Sequence, residues 1–487
     1  MDDIKVARYP SINRIDPAEW DSIVSEDEIV NSHSHLRAIE RSGVNSISYR
    51  YYLFTRNNDL IAHATVGIFS FGLDVMAAGG IGRFIELIKK RVPSFLQVKV
   101  IECGLPTAIG SAISMVDRAD NQQILSLLAE ELDILASEEK TSLIDIRDAY
   151  TAQRKQFDAL IESGYRVIPN MANTFFRVHQ KTYGEYLDDL VAKRRREILH
   201  RQRAFDSMGC TIEKIVDFGS MAEDLSRLWR GTYQHAKEYQ REVLNSDYFR
   251  YISDFLGDKS FILLCRMHGN PVGFTMLFDS GSKLISTYCG LDYAVNRSTY
   301  TYFVLFYRSI EEAIVLGKEW LELGVTNYNP KIEVGAIPEP MFIYTRSTRP
   351  LLNLFLAHVL KFMASPPDYN KRRIFNSRFY DRHKISRAVS ASLGERRYRV
   401  RDVSFDGIGL EGPEFKSRRF KILLIEVPDG LEITLKAKLK NCRKIKEETW
   451  QVGFSVKPES TDHLLLWQSF VERYASGAGT HGQDETK

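Results

Sequence analysis

Cysteine is scarce in this chain. The five residues Cys103, Cys210, Cys265, Cys289 and Cys442 are odd in number, far apart and never in a C-x-x-C spacing. Such a set describes neither a disulfide framework nor a zinc site, and a reducing compartment is expected. Long apolar runs are also missing. The most apolar stretch, 351–363, is interrupted by His358 and Lys361 and falls short of the ~20 apolar residues a membrane-spanning helix needs. The opening Met1-Asp-Asp-Ile-Lys5 lacks the basic-then-apolar pattern of a secretory signal. A cytoplasmic location is therefore expected, at most peripheral to the inner membrane. Charge of one sign is lacking as well, because 66 basic residues face 63 acidic ones for a net +3. Net charge gives no case for nucleic acid, and DNA is not an expected partner.

What is present is an ordinary apolar mass, 44% hydrophobic over 487 residues, enough for about three domains at roughly 100–200 residues each. The boundaries expected are a first unit 1–180, a second unit 181–363, a linker 364–377 around Pro366-Pro367, a small domain 378–475 and a disordered tail 476–487. In the first unit, 51–55 and 61–68 flank Arg56-Asn-Asn-Asp59 as a hairpin, 124–135 reads as an amphipathic helix, and the strand 142–146 follows. A helix over 152–163 and strands 166–168 and 174–178 complete it. The second unit repeats this logic. A basic helix 193–203 precedes the strand 210–215 and the helix 221–238. The segments 261–265, 271–278 and 283–289, joined by Met267-His-Gly-Asn270 and Asp279-Ser-Gly-Ser282, read as a three-stranded antiparallel meander. A helix 299–317 and a strand 320–323 come next.

A helix, a turned meander carrying His268-Gly-Asn-Pro-Val-Gly-Phe274 and a helix leading out of its last strand resemble the GNAT acyltransferase fold. Two such units in tandem resemble the FemAB-related branch. The local features are Tyr186-x-x-x-Leu190-x-x-Lys193-x-Arg195 and Gly324-x-x-x-Tyr328-x-x-Lys331-x-x-x-Gly335, with Ser34-His-Leu-Arg-Ala-Ile-Glu40 and Cys103-Gly-Leu-Pro106 in the first unit. The resemblance implies an enzyme that uses acyl-CoA or another activated acyl donor. Acyl transfer to an amine needs a base for the ammonium proton and a donor for the developing oxyanion. The candidates for those roles are Tyr288 and Asp292, at the meander's exit, and Tyr328 and Lys331, on the implied substrate channel. A packed tyrosine with a satisfied hydroxyl and a solvated lysine are the structural alternatives. The turn before the helix has no glycine, so the donor phosphate would meet Arg297 and Ser298, and an aminoacyl-tRNA or carrier protein stays open as donor. In the first unit, Glu102-Cys103-Gly104 has no histidine placed to activate the thiol, which favours a buried inert cysteine. The basic helix suits tRNA phosphates, donor phosphates or an anionic membrane surface, or forms a solvated face.

Near the end stand Arg378-Phe-Tyr-Asp-Arg382 and, twenty positions on, Asp402-Val-Ser404-Phe-Asp-Gly407. Two arginine forks suit phosphate and guanine edges, while Asp402 and Ser404 accept from and donate to base N–H and carbonyl groups, and Gly407 lets backbone pass close to a flat ligand. In this order the motifs resemble the PilZ domain, a receptor module for cyclic di-GMP. The resemblance implies a small antiparallel β-barrel, for which the strands 387–392, 398–403, 420–427, 431–439 and 450–456 and a closing helix 464–474 are readable. The overall expectation is an α/β (α+β) chain, tandem GNAT-like units followed by a barrel. Its function would be a cyclic di-GMP-regulated acyltransferase with an envelope- or lipid-related acceptor. The alternative is a catalytically inactive effector that binds a protein partner of envelope or polysaccharide synthesis.

Overall fold

The computed structural model describes residues 4–72, 97–116, 121–236, 242–349, 353, 383–385, 389–404, 407–417, 421–426, 432–458, 466–467 and 470–471. The chain divides into two compact units, Met1–Asn376 and Ser377–Lys487. The expected linker 364–377, the tail and, apart from Asn353, the apolar run 351–363 lie outside the described residues.

The first compact unit holds two mixed sheets of the same plan. One contains β1 (Lys5–Tyr9), β2 (Ser48–Arg56), β3 (Asp59–Gly72), β4 (Gln97–Cys103), β5 (Ile113–Met115), β6 (Leu143–Tyr150) and β7 (Arg166–Pro169). The other contains β8 (Asn173–Arg177), β9 (Cys210–Ile215), β10 (Ser260–Met267), β11 (Asn270–Ser280), β12 (Lys283–Leu291), β13 (Trp320–Gly324) and β14 (Ile337–Glu339). A last strand, β15 (Met341–Ser347), returns to the first sheet. The first sheet runs β1-β2-β3-β4-β6-β15-β7, with β5 on β3, and the second runs β9-β10-β11-β12-β13-β8-β14. Each sheet thus has an antiparallel meander, then a parallel step (β4 to β6, β12 to β13), then one strand taken from the other half of the chain. The two exchanges are reciprocal. A break in the sequence expected near residue 180 is not a break between sheets, because β8 belongs to the second and β15 to the first.

Local sequence accounts for most of these elements. Asn57 and Asn58 take φ of 54° and 68° between β2 and β3, a left-handed pair that asparagine tolerates and that fits the twist of a hairpin. His268 and Gly269 do the same between β10 and β11, with φ of 50° and 83°. The helix Asn121–Glu138 buries Ile124, Leu125, Leu128, Leu132 and Leu135 against the first sheet's core, a repeat of three and four that covers one face. The helix expected over 299–317 forms over Thr301–Val315, and a short helix that was not expected, Tyr293–Thr299, precedes it, the two parted by Tyr300 at φ 55°. The basic helix forms over Ala192–Ser207 and is largely paired within the fold. Arg194 is buried against Glu197 and Glu333, Arg195 meets Asp188, and Arg201 donates to the Tyr307 hydroxyl while lying over the Phe303 ring. Among the described residues no helix is long and apolar enough to cross a membrane.

The second compact unit is a barrel. β17 (Ser390–Leu393), β20 (Lys421–Glu426), β21 (Glu432–Lys446), β22 (Thr449–Pro458), β19 (Gly407–Gly412) and β18 (Arg396–Ser404) pair in a ring, closed by β18 on β17. A short strand, β16 (His383–Lys384), adds to β18 outside the ring. Alternation in β21 sends Ile433, Leu435 and Ala437 inward, where Val400, Leu410 and Phe454 meet them, and Trp467, Phe470 and Val471 close the core. The strand β19 was not among those expected, glycine being depleted in strands and three of its six residues being glycine. Its glycines are required by space. A Cβ at Gly409 would collide with the Asp402 carboxylate, and one at Gly412 would come to 2.8 Å from the Tyr398 ring.

Candidate active site

The parallel strands β12 and β13 pair only at Lys283↔Trp320, Leu284↔Leu321 and Ile285↔Glu322. Beyond that point β12 stays with β11 and β13 with β8, so the two part. A cavity of about 520 Å³ fills the fork, walled by 286–289 of β12, by 322–327, by Trp229 and Thr232, by Tyr302 and Phe306, and by 106–109 from the first half. The helix Ala222–His235 lies directly on β12 because each contributes a glycine to the contact, Gly231 and Gly290. A Cβ on Gly231 would come to 2.6 Å from the Leu291 carbonyl oxygen, and one on Gly290 to 2.8 Å from the Trp229 nitrogen. That approach sets the Trp229 ring edge-on to Tyr288, with centroids 4.8 Å apart.

Tyr288 is buried, and its hydroxyl stands 2.8 Å from Glu242 Oε1 and 3.0 Å from the Thr107 carbonyl oxygen. One hydroxyl proton cannot serve both acceptors. When Glu242 is protonated it donates to Tyr288, which then donates to Thr107; when ionised it accepts from Tyr288. Burial pushes the Glu242 carboxyl up to about 7, with the Tyr288 bond opposing, so both forms are populated near neutral pH. Lys331 is also buried on the cavity wall, and its Nζ donates to Gly324 O at 2.9 Å and Val325 O at 2.7 Å. Burial lowers its amine to about 7 against the attraction of Glu322. These bonds tie down a turn in which Gly324, Thr326 and Asn327 have φ of 75°, 65° and 45°, strained positions for the last two. Glu322 lines the same wall, accepts from Asn173 Nδ2 at 2.8 Å and is raised by burial.

Of the residues singled out from sequence, Tyr288 and Lys331 meet in this cavity. The others do not. Asp292 caps the helix Tyr293–Thr299 by accepting from the Ala294 N–H at 2.9 Å, and it borders a separate cavity of about 270 Å³. Tyr328 donates to the Ala172 carbonyl at 3.0 Å and is not on the cavity wall. Arg297 is exposed in the last turn of that short helix, and Ser298 donates back to Val295 O at 2.9 Å. Glu242, Glu322, Asn173 and Trp229 were missed. Glu322 had a signal, a carboxylate inside the apolar strand Trp-Leu-Glu-Leu-Gly, and Trp229 lies in the helix expected over 221–238 with nothing in the sequence to set it apart. Glu242 had none.

The equivalent fork in the first sheet is filled by protein. β4 and β6 pair through Cys103↔Ile146, and just beyond, the Arg147 side chain packs on Gly104, where a Cβ would come to 2.5 Å from its Cγ. Its guanidinium lies 3.4 Å from Glu102 and 2.9 Å from Asp148, all three buried. Cys103 beside them is buried and its thiol is pushed up by burial, which leaves it protonated and inert. Among the described residues no group of three or more His, Cys, Asp and Glu is placed to hold a metal ion.

In the barrel, Asp402 and Ser404 lie on β18, and Ser404 pairs with Gly407 of β19, its hydroxyl donating to Gly407 O at 3.4 Å. Arg378 and Arg382 lie outside the described residues. The chain next to Arg382 is described: His383 and Lys384 pair with Val403 and Asp402.

Comparison with known proteins supplies a family for the fork. The FemAB-like model, described as peptidoglycan biosynthesis/recognition, matches residues 101–363, more than half of the chain. The chain belongs to the FemAB-like family. Membership bears out the FemAB-like resemblance and supports an acyltransferase. The matched region contains the cavity residues Glu242, Tyr288, Glu322 and Lys331 and stops before the barrel. A Mycobacterium tuberculosis protein with the provisional name 8-amino-7-oxononanoate synthase 2 is 26% identical over 335 residues, covering 67% of this chain and 44% of that protein. The chain therefore spans less than half the length of that relative. A solved FemX structure is 14% identical with a TM-score of 0.46, covering 72% of this chain and 99% of that one. A tandem GNAT protein from the clavulanic acid pathway is 9% identical with a TM-score of 0.41, covering 72% and 99%.

Proposed function

We propose that the chain transfers an acyl or aminoacyl group from an activated donor to an amine, in the fork between β12 and β13, on a precursor of the bacterial envelope. The observation that carries this reading is the convergence of Glu242, Tyr288 and Lys331 on one cavity, two of them held near neutral by burial. The acceptor enters as an ammonium, and ionised Glu242 takes one proton. The freed amine nitrogen attacks the acyl carbonyl carbon. Two of the three N–H groups of charged Lys331 are committed to Gly324 and Val325, which leaves the third for the carbonyl oxygen as it gains negative charge. A C–N bond forms, the bond to the donor's sulfur or oxygen breaks, and the second amine proton leaves with that atom. Asp292, Tyr328, Arg297 and Ser298 act in this scheme by shaping the elements around the fork. The envelope target rests on the family description.

The test is acyl transfer by the full chain, with acyl-CoA and aminoacyl-tRNA as alternative donors and release of thiol or uncharged tRNA as the readout. Replacing the proton acceptor, as in Glu242→Gln, should cost about 10²-fold or more in turnover. Lack of transfer from both donor classes by well-folded protein would sink the reading.

The barrel is proposed to bind cyclic di-GMP through Arg378, Arg382, Asp402, Ser404 and Gly407 and to regulate the transferase. This is supported by the pairing of His383–Lys384, next in sequence to Arg382, with Asp402–Val403 of β18. Titration of the full chain with the nucleotide, followed by calorimetry, is the test.

A further inference from the structure

The fork contains polar atoms that the fold itself leaves without partners. Glu242 is 6% exposed, and while its Oε1 meets Tyr288, its Oε2 has no hydrogen bond. Trp229 Nε1 and Thr107 Oγ1 are likewise buried without a partner, and all three residues line the same cavity. They are neighbours through Tyr288, whose ring meets Trp229 and whose hydroxyl stands between Glu242 and the Thr107 carbonyl. Buried polar groups are almost always satisfied, and leaving one bare costs about 1–3 kcal/mol. Three such atoms on one wall define a complementary ligand. An ionised carboxylate oxygen only accepts, an indole N–H only donates, and a threonine hydroxyl does either. The group that satisfies them carries an N–H donor and, next to it, an oxygen acceptor.

We infer that the acceptor substrate is a primary amine with a hydroxyl or carbonyl oxygen on the adjacent carbon, its ammonium held by Glu242 Oε2 and its oxygen by Trp229 Nε1 and Thr107 Oγ1. The inference rests on the acyltransferase reading of the same cavity and narrows its substrate. Amino sugars and α-amino acid amides share this chemistry, one with a hydroxyl and the other with a carbonyl. The aromatic walls, Trp229, Tyr288, Tyr302 and Phe306, suit a compact body around the two polar groups, and they add cation–π attraction for the ammonium. A simple alkylamine would satisfy Glu242 and leave the indole N–H bare. A diol or neutral sugar would satisfy the indole and leave a buried carboxylate without its ion.

Binding to the full chain without any acyl donor tests this. The probes are glucosamine and alanine amide, against cyclohexylamine for the amine alone and glucose for the oxygen alone, read by ligand-observed NMR at pH 8. Glucosamine or alanine amide should bind at least 10-fold tighter than both controls, and which of the two wins tells hydroxyl from carbonyl. Glu242→Gln should remove most of the preference for amines, and Trp229→Phe should lower the preference for the oxygen-bearing amine over cyclohexylamine by about 2–10-fold, the worth of one neutral hydrogen bond. Should Glu242→Gln fold poorly, Trp229→Phe and Thr107→Val carry the test alone. Glucose binding as well as glucosamine, or a preference untouched by every variant, overturns the proposal. Selective amine binding without transfer from any donor upholds this site and overturns the reaction instead. Transfer that proceeds with an unchanged acceptor KM in Trp229→Phe and Glu242→Gln upholds the reaction and overturns this site.

Discussion

Arg147→Met asks whether the filled fork of the first sheet is scaffold or machinery. The substitution keeps much of the side chain's length on Gly104 and removes the guanidinium that lies 3.4 Å from Glu102 and 2.9 Å from Asp148. Two buried carboxyls then lose their cation. Stripping one partner from a buried ion pair costs about 3–5 kcal/mol, and for a unit of this size, at ~2 °C per kcal/mol, the melting temperature should fall by roughly 6–10 °C. The sign of the pH dependence follows from burial. Both carboxyls already sit above their ordinary values with Arg147 opposing the shift, and without it they rise further. A carboxyl raised by folding binds more protons in the folded state, so its contribution is present at low pH and is lost as pH rises through the folded value. The deficit of the variant should therefore be largest near pH 8 and shrink toward pH 5. Calorimetric melting at four pH values, paired with turnover at a temperature where the variant is folded, measures both. Arg147 also lowers Glu242 by its charge, so the variant's acid limb should move to higher pH while its rate at pH 8 stays near wild type. An equal deficit at pH 5 and pH 8 would refute the lost-cation argument, and loss of turnover by folded variant at pH 8 would refute the scaffold role.

Other outcomes follow from the same geometry. Turnover should be bell-shaped around neutral pH, rising as Glu242 ionises near 7 and falling as Lys331 loses its proton near 7; Lys331→Arg, which keeps the charge, should flatten the alkaline fall in a pH–rate profile. Gly290→Ala places a methyl 2.8 Å from the Trp229 nitrogen, which is backbone and cannot swing aside. Overpacking there should cost about 1–3 kcal/mol in denaturant unfolding and lower turnover by moving Trp229, and an unchanged kcat would mean the helix position is not critical. In the barrel, Arg382→Ala should weaken cyclic di-GMP binding by about 10–100-fold, the worth of a charge-assisted contact, with calorimetry on the full chain as the measurement.

Legibility in the sequence tracked how local the cause was. The meander β10–β12 could be read because its turns announce themselves in His268-Gly269 and Gly281, and its strands alternate. The first part of the barrel strand β21 was equally plain, as apolar and polar residues alternate over 431–439, whereas its continuation to Lys446 carries no such alternation. The short helix Tyr293–Thr299 escaped notice, and Tyr300 parts it from the next helix at a left-handed φ with no glycine or proline to mark the break. The glycines of β19 pointed the wrong way: they make room for Asp402 and Tyr398, residues of the neighbouring strand. In the candidate site, a tyrosine and a lysine were found through family pattern, whereas Glu242 lines the cavity from 46 positions before Tyr288. No periodicity can register such a contact.

The reciprocal exchange of β8 and β15 has a consequence for how the protein is made. When β7 leaves the ribosome, the first sheet has both neighbours of β15 but not β15 itself, and the gap persists until residue 347 is synthesised. At about 5–20 residues per second that wait is on the order of 10–35 s, during which two strand edges stand open beside each other. Meanwhile β8, already made, has no sheet to join until β13 appears. Nascent chains should therefore be most vulnerable to pairing with one another, or with a chaperone, while ribosomes occupy the codons between these strands. Ribosome profiling of chaperone-bound nascent chains would show that window, and a chain circularly permuted to begin at β8 would move it.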